Sequence, residues 1–320
     1  MRLGIVVVVT VASLANAAIA QTYPSKPIRL VVPFAPGGSS EIIARAVSAE
    51  MSKSLGQQMV IENKPGGAGN IAMGEVARAE PDGYTLILGH IGTLAMNPYM
   101  FAKLPFDTDR DFVPITLLAK IPAIFVVHES VAATDLKEFV ALAKKSPGSM
   151  NYGTAGNGSA GHLAFEYLKL ATGIDVQHVP YKGTGPNITD LVAGRTQASS
   201  AGTPPLMPHI KSGKLRVIAV GTPQRLTALP DAPTVAEQGY PGFETSQWYG
   251  LIAPAKTPPA VVARLAADAA KAVKTQAVID RFAPDNAIGV GSSPTEFAAF
   301  IKEEQKRWSD VVRRAKIKAE

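Results

Sequence analysis

Short apolar runs rich in β-branched residues alternate with longer segments of helical periodicity along most of the chain. The first run, Ile28–Val32, has the pattern of a strand that is buried on both faces of a parallel sheet. It is followed by the sequence PFAPGG and then by apolar residues at helical spacing, among them Ile42, Ile43, Ala46 and Val47. Repetition of this order, strand then loop then helix, predicts an α/β fold with doubly wound sheets.

The loop after the first run has the composition of an anion-binding loop. Gly37 and Gly38 allow a ligand to approach the backbone without a Cβ in the way. Either Ser39 or Ser40 is a candidate N-cap for the helix that follows. The first amide N–H groups of a helix have no partner within it, and with the helix dipole they attract an anion without a charged side chain. The alternative for this stretch alone is an ordinary strand-to-helix turn without a ligand.

Loops of the same kind recur later in the chain. The strands predicted at 84–88, 150–154 and 176–181 are each followed by a Gly-containing loop and a helix. In the first of these loops Thr93 is placed to cap a helical segment that is broken at Pro98. In the second, Ser159 is placed to start a helix. Because ligands of such sheets lie outside the carboxyl ends of the strands, these loops predict the walls of a cleft.

The end of the chain predicts a second crossing between two lobes. A polar stretch at 197–202 is interpreted as a strand or loop, and 246–254 as a strand. Two helices then begin near Pro258 and Pro294, which suggests a return to the first lobe. We therefore expect two doubly wound lobes joined by crossover strands with a cleft between them. The expected divisions are residues 1–20 as a signal peptide, 21–123 with 247–320 as lobe 1, and 124–246 as lobe 2.

The first twenty residues have the pattern of a secretory signal peptide. Arg2 precedes an apolar run and a series of small residues, with cleavage expected after Ala17 or Ala20. The apolar run is short for a membrane span, so a membrane anchor is the weaker alternative. The chain contains no Cys, hence no disulfide and no cysteine for lipid attachment. Export without cysteine favours the periplasm of a Gram-negative cell.

Composition and charge narrow the possible partners. Of the 320 residues, 46% are hydrophobic and 18% are charged, which is typical of a globular protein and not of a disordered one. The formal net charge of +6 is spread along the chain. The densest basic stretch, residues 302–318, interleaves acidic and apolar residues at helical spacing and is interpreted as a solvated amphipathic helix. We therefore expect no nucleic-acid partner.

Three patterns in the sequence bear on catalysis, cofactor binding or metal binding. Residues 156–161 match GxGxxG, but no acidic residue closes the next strand to hold a ribose, so no cofactor is predicted. Ser159 and His162 leave open an exported serine hydrolase, although an N-cap Ser and a packing or ligand-contacting His fit the pattern better. The histidines show no metal-ligand spacing, and no metal site is predicted. The chain is not expected to be an enzyme.

Several segments resemble the Bug-type extracytoplasmic solute receptors of the tripartite tricarboxylate transporter family. They include YPSKPIRLVVPFAPGG, ENKPGGAGN, PDGYTL, YGTAGNGSAGHL, VPYKG, LPDAPTVAEQGYPGFE and WYGLIAP, in the same order along the chain. The resemblance implies a type II periplasmic-binding-protein fold that closes around a small carboxylate. It also implies delivery to a two-component membrane permease by a receptor expected to be a monomer. A receptor that signals to a membrane kinase would share the same fold and remains an alternative.

The resemblance also implies a site in which backbone amides and small hydroxyls hold the ligand carboxylate. The residues expected to bind the ligand are Phe34, Ala35, Gly37, Gly38, Ser39, His90, Ile91, Thr93, Thr154, Ala155, Gly158, Ser159, Ala160, Tyr181, Lys182, Ala201, Gly202 and Thr203. Residues 198–203 carry no charge where related receptors often have an acidic and aromatic stretch. We therefore expect a ligand without a cationic amine, such as a dicarboxylate or an aromatic carboxylate.

Overall fold

A curled sheet with helices on both faces runs through the molecule. The computed structural model describes residues 23–283, 286–314 and 317, and in this part of the chain the sheet has ten strands. The strands are β1 Ile28–Val32, β2 Met59–Asn63, β3 Thr85–His90, β4 Phe112–His128, β5 Asn151–Thr154, β6 Gln177–Pro180, β7 Ala198–Gly202, β8 Leu215–Val220, β9 Ser246–Pro254 and β10 Ile288–Gly289. The predicted signal peptide, residues 1–20, lies outside the described residues.

Helices connect most of these strands. They are α1 Ser39–Leu55, α2 Asn70–Val76, α3 Asn97–Met100, α4 Leu136–Lys145, α5 Ala160–Thr172, α6 Thr184–Val192, α7 Thr203–Lys211, α8 Pro259–Ala272, α9 Gln276–Phe282 and α10 Pro294–Arg314. A 3₁₀ turn, Gly67–Gly69, precedes α2, and a π-helical turn, Gly92–Met96, precedes α3. None of the described helices is long and apolar enough to cross a bilayer.

The strand order combines parallel and antiparallel pairing. It runs β2-β1-β3-β9-β4-β7-β5-β6, with β8 and β10 paired to β4. β1 is parallel to β2 and β3, and β5 is parallel to β6 and β7, as the strand-loop-helix order predicted. β9 is antiparallel to both β3 and β4. β4 and β9 are the two long strands, and they carry the chain between the halves in opposite directions. The α/β fold class is confirmed, and the sheet is mixed where the chain crosses over.

The long strand β4 divides the sheet into two halves. Residues up to Pro122 pair with β9, and residues from Ala123 onward pair with β7 and β8. We call β1, β2, β3 and β9 with their helices the first half, and β5 to β8 with their helices the second half. The lobe boundaries expected at 123/124 and 246/247 stay a prediction.

Apolar residues cover both faces of each half, which gives the doubly wound layering. In the first half, α1, α8 and α9 pack on one face, and α2, the π-helical turn and α10 pack on the other. In the second half, α4 and α5 cover one face, and α6 and α7 cover the other. The helices after residue 257 thus return to the first half. This packing fixes the ends of β1, β3 and β9 relative to the starts of α1, α5 and α6.

Three local predictions about helix starts and ends are wrong. The N-cap of α1 is Gly38, in an extended conformation and without a side-chain cap, so neither Ser39 nor Ser40 caps this helix. Thr93 lies inside the π-helical turn and exchanges hydrogen bonds with the His90 backbone instead of capping. Pro98 does not break the segment, since it lies in the first turn of α3, where a helix needs no N–H donor.

Candidate functional site

A small cavity lies between the two halves, where β1 and β3 end opposite the starts of α5 and α6. Six of the predicted site residues line it: Phe34, His90, Ala155, Ser159, Ala160 and Ala201. Six further lining residues were not predicted: Ser40, Gly161, Thr184, Ser200, Gln247 and Tyr249. None of these lining residues is Asp, Glu, Lys or Arg. The cavity therefore offers hydrogen bonds and helix ends, but no formally charged side chain.

The other twelve predicted residues are not among those that line this cavity. They are Ala35, Gly37, Gly38, Ser39, Ile91, Thr93, Thr154, Gly158, Tyr181, Lys182, Gly202 and Thr203. Tyr181 and Lys182 line a neighbouring groove, and the Lys182 side chain is exposed. The Tyr181 hydroxyl donates to Asp190 Oδ2 at 2.8 Å, and burial together with this carboxylate raises its pKa to about 12. Tyr181 is thus neutral and held in place by its own half.

The starts of three helices contribute residues to the cavity wall: Ser40 in α1, Ala160 and Gly161 in α5, and Thr184 in α6. α1 and α6 have glycine N-caps and no side-chain cap. In α5 the Ser159 Oγ accepts only the His162 N–H, at 3.3 Å. Amide N–H groups in the first turns of these helices therefore remain available as hydrogen-bond donors. The dipoles of all three helices favour a negative charge in the cavity.

The two halves touch beside the cavity, so the structure is closed. The Ala35 N–H donates to the Lys182 carbonyl across the gap at 3.1 Å. A Cβ added at Gly185 would lie 2.5 Å from the Pro36 carbonyl oxygen. Gly92 meets the Gly158 carbonyl in the same way. The absence of side chains at these glycines allows backbone to approach backbone across the cleft.

His90 closes the inner wall of the cavity as a neutral ring. It is 2% exposed and lies with its ring centroid 4.6 Å from that of Phe34 and 6.3 Å from that of Tyr249. Burial lowers the pKa of His90 to about 3. Its Nδ1 accepts the Gly92 N–H at 2.8 Å, so in the neutral ring the proton is on Nε2.

Ser159 and His162 do not form a nucleophile–base pair. The His162 Nδ1 accepts the Gly158 N–H at 3.2 Å, while the Ser159 Oγ is occupied as the N-cap of α5. His162 stacks on His178, with ring centroids 4.2 Å apart, and His178 Nε2 lies 2.6 Å from Thr154 Oγ1. The predicted N-cap role of Ser159 is confirmed, and the hydrolase alternative lacks its hydrogen bond. Within the described residues, no group of three acidic or histidine side chains is placed to hold a metal ion.

Two buried histidines and one half-buried histidine predict a loss of stability on mild acidification. Burial lowers the pKa of His90 to about 3, of His162 to about 4 and of His178 to about 3, the last also because His162 lies beside it. Below about pH 6.5 the unfolded chain takes up protons at these positions and the folded chain does not. The free energy of unfolding therefore decreases as the pH is lowered. Between pH 7.5 and 6.0 we expect a loss of about 2 kcal/mol in total, measured by urea unfolding.

A single variant checks that the histidines cause this pH dependence. His162→Asn keeps an acceptor near the position of Nδ1 for the Gly158 N–H, but it does not titrate. The variant should lose about a third less stability than the wild type over the same pH range. An unchanged pH dependence would assign the effect to other groups.

Comparison with known proteins identifies relatives along nearly the full chain. The sequence profile of TctC, described as the tripartite tricarboxylate transporter family receptor, matches residues 43–317. Protein BugT of Bordetella pertussis is 35% identical over 313 residues, which is 97% of this chain and 96% of BugT. A Rhodopseudomonas palustris protein solved with adipate has a TM-score of 0.89 and 34% identity, covering 92% of this chain and 98% of its own. MatC of the same species, with bound malate, has a TM-score of 0.87 and 35% identity, covering 91% and 100%.

Proposed function

Because the chain belongs to the family of tripartite tricarboxylate transporter receptors, we propose that this periplasmic solute-binding receptor captures a small carboxylate without a cationic amine. It delivers this ligand to a two-component membrane permease. The proposal includes export through residues 1–20, function as a monomer, and binding by the cavity residues together with the loops around them. The two lobes that move are 21–123 with 247–320, and 124–246.

The convergence of three helix starts on one uncharged cavity carries the proposal. A carboxylate there accepts hydrogen bonds from free amide N–H groups at the positive ends of α1, α5 and α6. Each hydrogen bond to the ionised group contributes about 1.5–3 kcal/mol. Since the cavity is lined without Lys or Arg, these donors take the place of a counter-ion.

Closure of the two halves distinguishes the ligand-bound receptor from the empty one. α1 belongs to the first half, while α5 and α6 belong to the second half. A carboxylate that contacts both groups of donors binds the closed state more tightly than the open state and therefore shifts the population toward closure. The permease is expected to recognise the closed form.

The lining residues favour acids over amino acids. A buried ammonium group needs a carboxylate partner, and the cavity is lined without Asp or Glu. Residues 198–203 supply Ala201 and Ser200 to the wall and no charge. Two relatives of similar fold were solved with adipate and malate, neither of which carries an amine. Dicarboxylates and aromatic carboxylates are accordingly the favoured ligands.

A thermal-shift screen tests the proposal with matched ligands. A bound acid should stabilise the folded chain by about 2.7 kcal/mol at a concentration of about one hundred times its Kd. Glutarate should raise the melting temperature, whereas glutamate, which adds only the ammonium group, should raise it much less. Equal shifts with both compounds would contradict the ligand class. The absence of any shift with dicarboxylates, tricarboxylates or aromatic acids would contradict the proposed function.

A further inference from the structure

Two residues that line the cavity each have a buried polar atom without a hydrogen-bond partner among the described residues: His90 Nε2 and Ser200 Oγ. Both residues line the cavity and each is 2% exposed. Buried donors and acceptors in folded proteins are almost always paired, so two unpaired atoms on residues that line one cavity indicate a missing partner. They come from different halves, since His90 ends β3 and Ser200 lies in β7.

The hydrogen-bonding direction of His90 is fixed by its neighbours. Its Nδ1 accepts the Gly92 N–H, which places the ring proton on Nε2. Full burial keeps the ring neutral, because desolvation lowers its pKa to about 3. Nε2 is therefore a donor and cannot accept. The partner that it lacks must carry a hydrogen-bond acceptor.

Ser200 is distinguished from the serine beside it. The Ser199 hydroxyl donates to the Gly153 carbonyl at 2.8 Å and accepts from Asn187 Nδ2 at 2.8 Å. Side chains of consecutive strand residues point to opposite faces of the sheet. Ser199 therefore forms its hydrogen bonds inside the second half, and Ser200 faces the other side of β7. The Ser200 hydroxyl is therefore free to donate a hydrogen bond to a group bound in the cavity.

We propose that His90 Nε2–H and the Ser200 hydroxyl bind a second acceptor group of the ligand, in addition to the carboxylate at the helix starts. This inference rests on the proposed function and narrows it. The ligand class is a small acid with a second carboxylate, and an acid that ends in an unsubstituted alkyl group is rejected because the two donors stay unpaired. Since the donors come from both halves, the second group also favours closure.

The experiment uses variants that separate the two nitrogens of His90. His90→Asn keeps an acceptor near Nδ1 for the Gly92 N–H and removes the Nε2–H donor. Ser200→Ala removes the other donor from a small buried side chain and provides an independent second variant. His209→Asn, in the last turn of α7 and outside the cavity, is the matched control.

Calorimetric titration at pH 7.5 with succinate, glutarate and adipate, each against the monocarboxylate of equal chain length, measures the effect. The wild type should prefer the diacid of the best pair by about tenfold or more, and each cavity variant should reduce this preference by about tenfold. The His209→Asn control should keep it. Equal weakening of diacid and monoacid in both cavity variants would overturn the inference and leave the proposed function standing. If no carboxylate binds the wild type, the proposed function itself fails.

Discussion

Gly185→Ala is expected to weaken carboxylate binding by about a hundredfold while the unliganded chain keeps its stability. Gly185 is the second residue of α6, and the three atoms outside its own helix that a Cβ there would approach most closely belong to Pro36 and Gly37, in the opposite half. The nearest of them is the Pro36 carbonyl oxygen, at 2.5 Å. The methyl group therefore clashes with backbone of the opposite half in the closed state.

The effect on binding can be separated from the effect on stability, because alanine has a higher helix propensity than glycine. In the open state the higher helix propensity of alanine offsets the steric cost of a Cβ before Pro186, so the stability should change little. In the closed state a backbone carbonyl must move, so the binding-competent fraction falls and the apparent Kd rises by the same factor. Calorimetry with the best ligand of the screen measures the affinity, and urea unfolding without ligand measures the stability.

Gly74→Ala provides the matched control in the first half. It also adds a methyl group to a helical glycine, in α2, but the atoms nearest to this methyl group are in Pro105 and Arg78 of the same half. Its affinity should equal that of the wild type. If Gly185→Ala binds as tightly as Gly74→Ala, closure does not bring Pro36 against α6, and the proposed mechanism is wrong.

Local patterns were sufficient for the parts of the site that lie within one strand-loop-helix unit. Phe34 follows β1 and Ser159 caps α5, and each was predicted from a neighbouring apolar run and helical spacing. The cap of α1 was missed because an extended glycine serves as well as a serine when the amides are left for another partner. The predictions that failed concern local features, such as a helix cap, that more than one residue type can provide.

The rest of the site depends on pairings between distant parts of the chain. Tyr249 reaches the cavity because β9 pairs antiparallel with β3 and places it opposite His90. Ser200 reaches it because of the side on which β7 presents alternate residues, and a shift by one residue would present Ser199 instead. No pattern within 246–254 or 197–202 fixes these relations.

The sequence pattern did not predict α7 because the segment contains three prolines. This helix contains Pro204 and Pro205 in its first turn, where the missing N–H groups have no helical partner in any case. Pro208 lies further inside and removes one hydrogen bond, which the burial of Leu206 in the core of the second half offsets. Tertiary packing thus overrode a local signal that argues against a helix.

Glu304→Ala is expected to lower the free energy of unfolding by roughly 2–5 kcal/mol. The Glu304 Oε2 accepts the indole N–H of Trp248 at 2.8 Å and that of Trp308 at 3.0 Å. Both indoles are 1% exposed. Alanine leaves two buried donors without a partner, and each such donor costs about 1–3 kcal/mol.

The position of Glu304 explains why this loss matters for the whole molecule. Trp248 lies in β9, the strand by which the chain returns to the first half, and Trp308 lies in α10. One carboxylate therefore joins the last helix to the crossover strand that also carries Tyr249 into the cavity. Arg307, with its Nη1 3.7 Å from Glu304 Oε1, balances the charge from the same helix.

Urea unfolding followed by intrinsic fluorescence measures the effect directly, because Trp248 and Trp308 are the two tryptophans of the sequence. Glu304→Gln keeps one carbonyl acceptor for the indoles, so it should lose less than half as much stability as Glu304→Ala. Glu303→Ala, at the exposed neighbouring position, should change the unfolding free energy by less than about 0.5 kcal/mol. If Glu304→Ala is no less stable than Glu303→Ala, the two indoles have other acceptors, and α10 is held to β9 by apolar packing alone.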